Sequence, residues 1–356
     1  MAKKEAAERA MKILVCTHVF PPSVGGIETV TRILAEQFTR LGATVTVVTP
    51  TPGEPISADY KLIRRPSLRQ LRALARASDL VFQSNISLRT LLPLLFSGKP
   101  IVITHHGIAT RVDGSLGWQD RLKRALFPCC HNLAISRSVA DGLAVASTVV
   151  GNPFDAGEFT VSQTTGRDKD IVFLGRLVSD KGCDLALRAL ALLKKEGVCP
   201  SLTVIGDGSE MASLKRLAAE LELQVEFRGM MLAGRGRELA RHKVMVIPSV
   251  WAEPFGIVAL EGLAAGCVPV ASRAGGLPEA VGPCGLLFPN GDIKAMAEAI
   301  KRLIADAPLR EKLLACREQH LKNFQPETVA RRYLDFFESV LQAKPRRSWG
   351  KEAPAR

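Results

Sequence analysis

Apolar residues come along this chain in short unbroken blocks, separated by longer segments in which they recur every three to four positions. The blocks "KILVCT" (12–17) and "TVTVVTP" (44–50) read as strands buried on both faces. Between them "GIETVTRILAEQFTRLG" (26–42) keeps the 3.6-residue recurrence of an amphipathic helix and closes on a glycine. That is a strand–helix–strand unit. The second half repeats the design, with "DIVFLGRL", "SLTVIGDG", "VEFRG" and "VMVIPS" (244–249) as strands and "CDLALRALALLKKEG" and "SEMASLKRLAAELEL" as the helices among them. Alternation in both halves predicts an α/β chain of two doubly wound parallel sheets, with ligand sites beyond the carboxyl ends of the strands. The expected division is a domain over 11–150, a polar Gly/Thr/Asp-rich linker over 151–169 and a second domain over 170–324. A helix announced by a proline (325–342) is expected to cross back to the first domain, and the polar tail 343–356 to be disordered.

One segment combines this pattern with chemistry. "WAEPFGIVALEGLAAG" (251–266) places Glu253 and Glu261 in an otherwise apolar stretch. On one unbroken helix they would stand about 12 Å apart along the axis and roughly 80° apart around it, too far to share a ligand. The helix is therefore expected to start between them, with Pro254 in its first turn, where a missing N–H costs nothing. Glu253 then lies in the entering loop and Glu261 inside the helix. The amides of Phe255, Gly256 and Ile257 become donors at a positive helix end, a setting that binds anions. Two carboxylates flanking an anion pocket suit a ligand with both hydroxyls and phosphate, such as a nucleotide sugar.

Composition narrows the classes. A chain of 356 residues with 47% hydrophobic content is long and apolar enough for two cored domains. Its cysteines (Cys16, Cys129, Cys130, Cys183, Cys199, Cys267, Cys284 and Cys316) lack zinc-binding spacing and read as reduced thiols of the cytosol. The opening "MAKKEAAERAMKILVCTHVF" resembles a signal peptide only superficially, because its apolar run is short, contains His18 and meets Pro21-Pro22. No apolar run approaches the roughly 18 residues of a membrane span, so the sequon at Asn85 carries no weight. The net charge of +13 allows nucleic acid, an anionic membrane or anionic ligands, and the aromatic content of 5%, with no recognition motif, argues against nucleic acid.

Four motifs in order, "GGIE" after the first strand, "HHG" (105–107), "GRLVSDKG" (175–182) and the Glu-x7-Glu stretch, resemble the retaining GT-B glycosyltransferases of glycosyltransferase family 4. The resemblance runs over roughly residues 11–341 and leaves residues 1–10 without a counterpart. It implies two Rossmann-like domains facing a deep interdomain cleft, the first on the acceptor side and the second binding a nucleotide-diphosphate sugar. Gly25 and Gly26 would let backbone approach the diphosphate. Arg176 and Lys181 would neutralise the charge that grows as the glycosyl–phosphate bond breaks. The resemblance assigns Glu253 to the hydroxyls of the transferred sugar and Glu261 to the ribose, with the amides of Phe255, Gly256 and Ile257 near sugar and phosphate. His106 would contact the donor sugar, with His105 a packing residue. Gly206 and Gly208 would give close passage past the nucleotide, Asp207 would be a turn residue, and Met230 would meet the base through its backbone. "RAGGLPE" (273–279) is given no direct contact.

The catalytic set implied is His106, Arg176, Lys181 and Glu253, acting by front-face attack without a protein nucleophile, metal or cofactor. "DKD" (168–170) has metal-transferase spacing but stands in the linker, and "GDGSEM" lacks the third glycine of a dinucleotide fingerprint. The acceptor is expected to be a saccharide or a lipid-linked molecule, in envelope polysaccharide or glycolipid synthesis. A GT-B epimerase or sugar phosphorylase and a non-catalytic nucleotide-sugar-binding protein are the alternatives. In "RRPSLRQLRALARASDL" (64–80), Arg65, Arg69, Arg72 and Arg76 fall on one helical face and Leu68, Leu71 and Ala75 on another. "WQDRLKRALF" (118–127) is a further basic helix. Two readings stay open for both: solvated faces of ordinary helices, or a surface that docks a cytoplasmic protein on an anionic leaflet.

Overall fold

The computed structural model describes residues 9–54, 57–107, 117–160 and 166–343. Among them the apolar blocks form two parallel sheets. The first contains β1 (Lys12–Thr17), β2 (Thr44–Thr49), β3 (Lys61–Arg64), β4 (Leu80–Ser84), β5 (Ile101–His105), β6 (His131–Ala134) and β7 (Thr148–Val149), in the order β3-β2-β1-β4-β5-β6-β7. The second contains β8 (Lys169–Leu174), β9 (Leu202–Ile205), β10 (Val225–Gly229), β11 (His242–Ile247), β12 (Val268–Ser272) and β13 (Leu286–Phe288), in the order β10-β9-β8-β11-β12-β13. In each sheet the first strand is central: Ile13 is in register with Val45 and Leu80, and Val172 with Thr203 and Met245. Helices on both faces bury these strands, which is why Ile13, Leu14, Val172, Val244 and Val246 are almost wholly buried.

The chain divides into two compact units, one of Met1–Thr104, Thr110–Leu133 and Ala330–Arg356, the other of His105–Ala109 and Ala134–Val329. The first has an aromatic centre. The last helix, Pro326–Gln342, sets Tyr333 and Phe337 against Phe38 and Phe82, with ring centroids 5.4 Å (Phe82–Phe337) to 6.2 Å (Phe38–Phe82) apart. Thr104 donates a hydrogen bond of 3.2 Å to the Tyr333 hydroxyl, so the buried phenol has a partner. The second unit is cored by aliphatics such as Leu187, Val204, Val246 and Ile300 between its sheet and helices.

Several local expectations are corrected. The basic helix predicted over 64–80 spans only Leu68–Ala77, with Ser67 accepting at its cap from the Gln70 amide at 3.2 Å. Arg64 closes β3, a strand the pattern did not announce. Arg65, held at φ 51° before Pro66, lies outside the helix, because a pre-proline residue is pushed out of the right-handed helical region. Only Arg69, Arg72 and Arg76 share the helix, and Leu68 of the supposed apolar stripe is 58% exposed while Leu71 and Ala75 are buried. Inside 151–169 a short helix, Ala156–Phe159, is capped by Asp155 at 3.3 Å. All eight cysteines are free, with the Cys284 and Cys316 sulfurs 2.7 Å apart. Residues 1–8 and the tail 344–356 lie outside the described residues.

Phe82→Ala is expected to destabilise the first unit by about 3–5 kcal/mol, the usual cost of emptying a buried aromatic site. Phe96→Ala, at a residue 95% exposed, is expected to stay within about 0.5 kcal/mol of the parent. Urea unfolding of both variants checks the contrast.

Candidate functional site

In the second sheet the winding reverses between β8 and β11, so the loops after these two strands flank one crevice at the carboxyl edge. The loop after β8 carries Arg176 and, in a single 3-10 turn (Ser179–Lys181), Lys181. The loop after β11 carries Ser249, Glu253 and the residues leading into the helix Ile257–Ala264. The fold brings the two loops together. Amides of Val250 and Trp251 donate to the Asp180 carbonyl at 3.1 and 3.4 Å. Gly182, at φ 66°, packs so close that a Cβ there would overlap the Pro248 carbonyl oxygen.

At the meeting point the Lys181 ammonium forms an ion pair with Glu253 Oε1, and the buried Ser249 hydroxyl donates to the same oxygen at 2.9 Å. A cation and a carboxylate, both largely shielded from water, are thus held in one geometry. Arg176 is exposed and has no hydrogen bond or ion pair among the described residues. The sequence assigned Lys181 and Glu253 to different parts of a ligand and did not pair them. It also gave no role to Ser249 or Asp180, whose only local signal was their position next to strand ends.

The helix begins at Ile257, with Gly256 as its cap at φ 96°, so Pro254 does not occupy the first turn as expected. The left-handed turn at Gly256 is what displaces the start. A Cβ at Gly256 would lie 2.5 Å from Leu277, so glycine is required on both conformational and steric grounds. The amides of Phe255, Gly256 and Ile257 donate no hydrogen bond among the described residues, which keeps the predicted row of donors. Phe255 is buried against Phe324, with ring centroids 5.5 Å apart.

"RAGGLPE", given no direct contact, is the seat of this loop. The Gly276 amide donates to the Glu253 carbonyl at 2.7 Å, and Cβ atoms at Gly275 and Gly276 would run into the carbonyl oxygens of Glu253 and Pro254. Ser136, fully buried, donates to the Pro254 carbonyl at 2.6 Å. His105 is buried at the end of β5, and His106 follows it half-buried. A Cβ at the next residue, Gly107, would stand 3.9 Å from the Pro254 ring.

Glu261 is half-buried within the helix, and its carboxylate takes no hydrogen bond among the described residues. Burial pushes its pKa up to about 7, with Arg235 pulling it down and Asp155 and Glu158 adding to the rise. Gly206, at φ 142°, and Gly208 owe their identity to packing: a Cβ on either would overlap the carbonyl oxygens of Gly175 and Leu177. Asp207 accepts from the Gly208 amide at 2.7 Å, the turn role expected for it. Met230 follows β10 with its side chain 60% exposed. Gly25 and Gly26 lie in the other unit, where Gly25 caps the helix Gly26–Arg40. The carboxylates of "DKD" are engaged by Arg241 at Asp168 and by Lys243 at Asp170. Among the described residues no group of three His, Cys, Asp or Glu side chains could hold a metal ion, and no helix is long and apolar enough to cross a membrane.

Residues 158–317 match the family model of glycosyl transferases group 1, and residues 24–153 that of Glycosyltransferase Family 4. A glycogen synthase of Mycobacterium tuberculosis is 30% identical over 233 residues, covering 63% of this chain and 56% of the relative. A GDP-mannose-dependent alpha-(1-6)-phosphatidylinositol monomannoside mannosyltransferase of Mycolicibacterium smegmatis is 32% identical over 193 residues, 49% of each chain. The chain thus spans about half the length of these curated relatives. The crystal structure of Anabaena HepE in complex with UDP and glucose superposes with a TM-score of 0.75 at 20% identity, covering 92% of this chain and all of that one. Sucrose-phosphate synthase from Thermosynechococcus elongatus gives 0.76 at 20% identity, covering 94% and 100%. Fold and sequence together place the chain among the GT-B glycosyltransferases. Within that class it belongs to the family 4 type.

The raised Glu261 pKa has a stability consequence. Between the ordinary value of 4.5 and about 7 the folded chain keeps a proton that the unfolded chain releases, so this group's contribution to stability is lost as pH rises through that window. Glu261→Gln removes the titration. The variant is expected to be more stable than the parent at pH 8, by about 1–3 kcal/mol, with the gap closing below pH 5. Urea midpoints at the two pH values check this, and a gap independent of pH would contradict it.

Proposed function

We propose that the protein is a retaining glycosyltransferase that moves a sugar from a nucleotide-diphosphate sugar to a saccharide or lipid-linked acceptor. The observation that carries the reading is the Lys181–Glu253 pair, formed by two loops that also carry Arg176 and the open amides from Phe255 to Ile257. An ammonium has three donors, so Lys181 can keep Glu253 oriented while it meets a diphosphate oxygen. Arg176 supplies the second cation for the leaving group. Glu253, fixed by Lys181 and Ser249, offers its remaining acceptor capacity to sugar hydroxyls, and Glu261 takes the ribose. His106 meets the transferred sugar, and the backbone at Gly206 and Met230 passes the nucleoside.

In this reading the departing phosphate oxygen takes the acceptor's proton, and the reaction needs neither a metal nor a cofactor. The rate comes from orientation and from charges placed before the reaction starts. The reading draws support from the names of the relatives, which work on glycogen and on a mannosylated phosphatidylinositol. A cytoplasmic protein that visits an anionic membrane fits the first unit. Its basic helices Leu68–Ala77 and Trp118–Leu126 stand in a unit that also exposes Phe96 (95%) and Trp118 (70%).

Incubation with UDP-, GDP- and ADP-sugars should release nucleotide slowly from one of them without acceptor. Arg176→Ala and Lys181→Ala are each expected to lower turnover by roughly 10²-fold or more, the scale of losing one preorganised charge stabiliser. Near-normal turnover in either variant, or no release from any donor, argues against the transferase. Sedimentation with anionic vesicles tests the membrane part: binding should weaken as salt rises, and an absence of binding at low salt removes it.

A further inference from the structure

Two thiols of the second unit meet at a place the transfer reaction does not use. Cys284 ends the 3-10 turn Gly282–Cys284 that follows the helix Leu277–Val281, and Cys316 caps the helix Arg317–Lys322. Their sulfurs stand 2.7 Å apart across 32 residues of sequence. Non-bonded carbon atoms keep about 3.5–4.0 Å apart and a disulfide bond is about 2.05 Å long, so less than about 1 Å of approach separates this contact from a bond. Cys267, also buried, donates its thiol to the Leu239 carbonyl at 3.0 Å instead.

The two partners differ in access. Cys284 is fully buried, and burial, then Cys316 itself, holds its thiol above the ordinary range, while Arg317 draws it down. Cys316 is half-buried, with its thiol also donating to the Leu313 carbonyl at 3.1 Å, so it is the member a reagent meets first. Both stand on elements that support the acidic loop. The helix Leu277–Val281 starts from the Gly275-Gly276 seat, and its Leu277 fills the space that a side chain at Gly256 would need. His320, on the helix that Cys316 caps, donates from Nε2 to the Ala280 carbonyl at 2.8 Å. Its ring packs edge-on against Phe324 with centroids 5.2 Å apart, and Phe324 packs in turn on Phe255. A Cβ at Gly282, at φ 56°, would overlap the His320 ring.

We propose that Cys284 and Cys316 form a redox modification site, closed to a disulfide by exchange with a small-molecule disulfide and reopened by small thiols. The Cys316 thiolate attacks one sulfur of the reagent, whose S–S bond breaks and releases one thiol, leaving a mixed disulfide on Cys316. Cys284, as the thiolate, then attacks the Cys316 sulfur and expels the second thiol. Two cysteines are oxidised, one reagent disulfide is reduced to two thiols, and the released thiolates take up the protons that the cysteines shed. The new bond fastens the chain that follows the Gly275-Gly276 seat to the helix that carries His320. This chemistry needs only the fold of the second unit and holds whether or not a sugar is transferred.

Equilibration of the full chain with oxidised and reduced glutathione, followed by an acid quench and peptide mapping by mass spectrometry, tests it. A peptide pair joined through Cys284 and Cys316, lighter by two hydrogens, is expected to grow with the oxidised share of glutathione and to vanish on return to the reduced form. Cys284→Ser should stop the reaction at the mixed disulfide on Cys316. Cys316→Ser, the milder change at a half-buried position, should abolish the link and leave the buried Cys284 unmodified. In the parent, backbone hydrogen exchange over residues 275–281 is expected to slow about tenfold or more on oxidation, within the stabilisation a cross-link supplies, and to stay unchanged in Cys316→Ser. Glutathione on the exposed Cys129 and Cys199 without a 284–316 link, or a link that leaves the exchange of 275–281 unchanged, overturns the proposal.

Discussion

A doubly wound parallel sheet has one place on its carboxyl edge where neighbouring connections leave in opposite directions, and nothing in the fold fills the gap between them. The Lys181–Glu253 pair of the candidate site lies at such a gap. In the second sheet the gap lies between β8 and β11, and both cations and the loop carboxylate come from the segments leaving those two strands. The first sheet has its gap between β1 and β4, where a cavity of about 570 Å³ lined by His18 and Asn85 opens. Winding decides where chemistry can be placed, and the loops decide which chemistry it is.

The loops are held mainly by backbone packing. Gly182, Gly275 and Gly276 each lie where a side chain would strike a neighbouring carbonyl, so three glycines set the height of the acidic loop over the strand ends. Ser136 and the Gly276 amide fix the carbonyls of Pro254 and Glu253 in turn. On this scaffold the Lys181–Glu253 pair is oriented before any ligand arrives. Breaking it by removing one member would leave the other charge shielded and uncompensated, a costlier state than losing an exposed pair.

Much of this was legible in the sequence, and the exceptions have physical causes. Long apolar blocks such as β1, β2, β8 and β11 announce themselves because burial on both faces demands unbroken apolar runs. β3 does not, since "KLIR" is four residues at a sheet edge with a charge at either end. The misplaced helix start shows a local rule losing to a neighbour: proline favours a first turn, but the left-handed Gly256 and its contact with Leu277 set the start at Ile257. Arg65 was put on a helix although Pro66 already argued against it. The pairing of Lys181 with Glu253 had no local trace, because it joins two strand ends 72 residues apart. The seat provided by Gly275 and Gly276 was missed because a glycine pair before a helix looks like any turn until the chain packed against it is known.

If a ribose is held at Glu261, as proposed above, its capture becomes a proton-exchange event, because burial raises the pKa of this carboxyl to about 7. A hydroxyl donor settling on the ionised form would expel whatever hydrogen ion remained there into solution. The heat of complex formation would then vary with the ionisation enthalpy of the buffer, and the affinity would carry an acid limb that belongs to the protein and not to the phosphates of its partner.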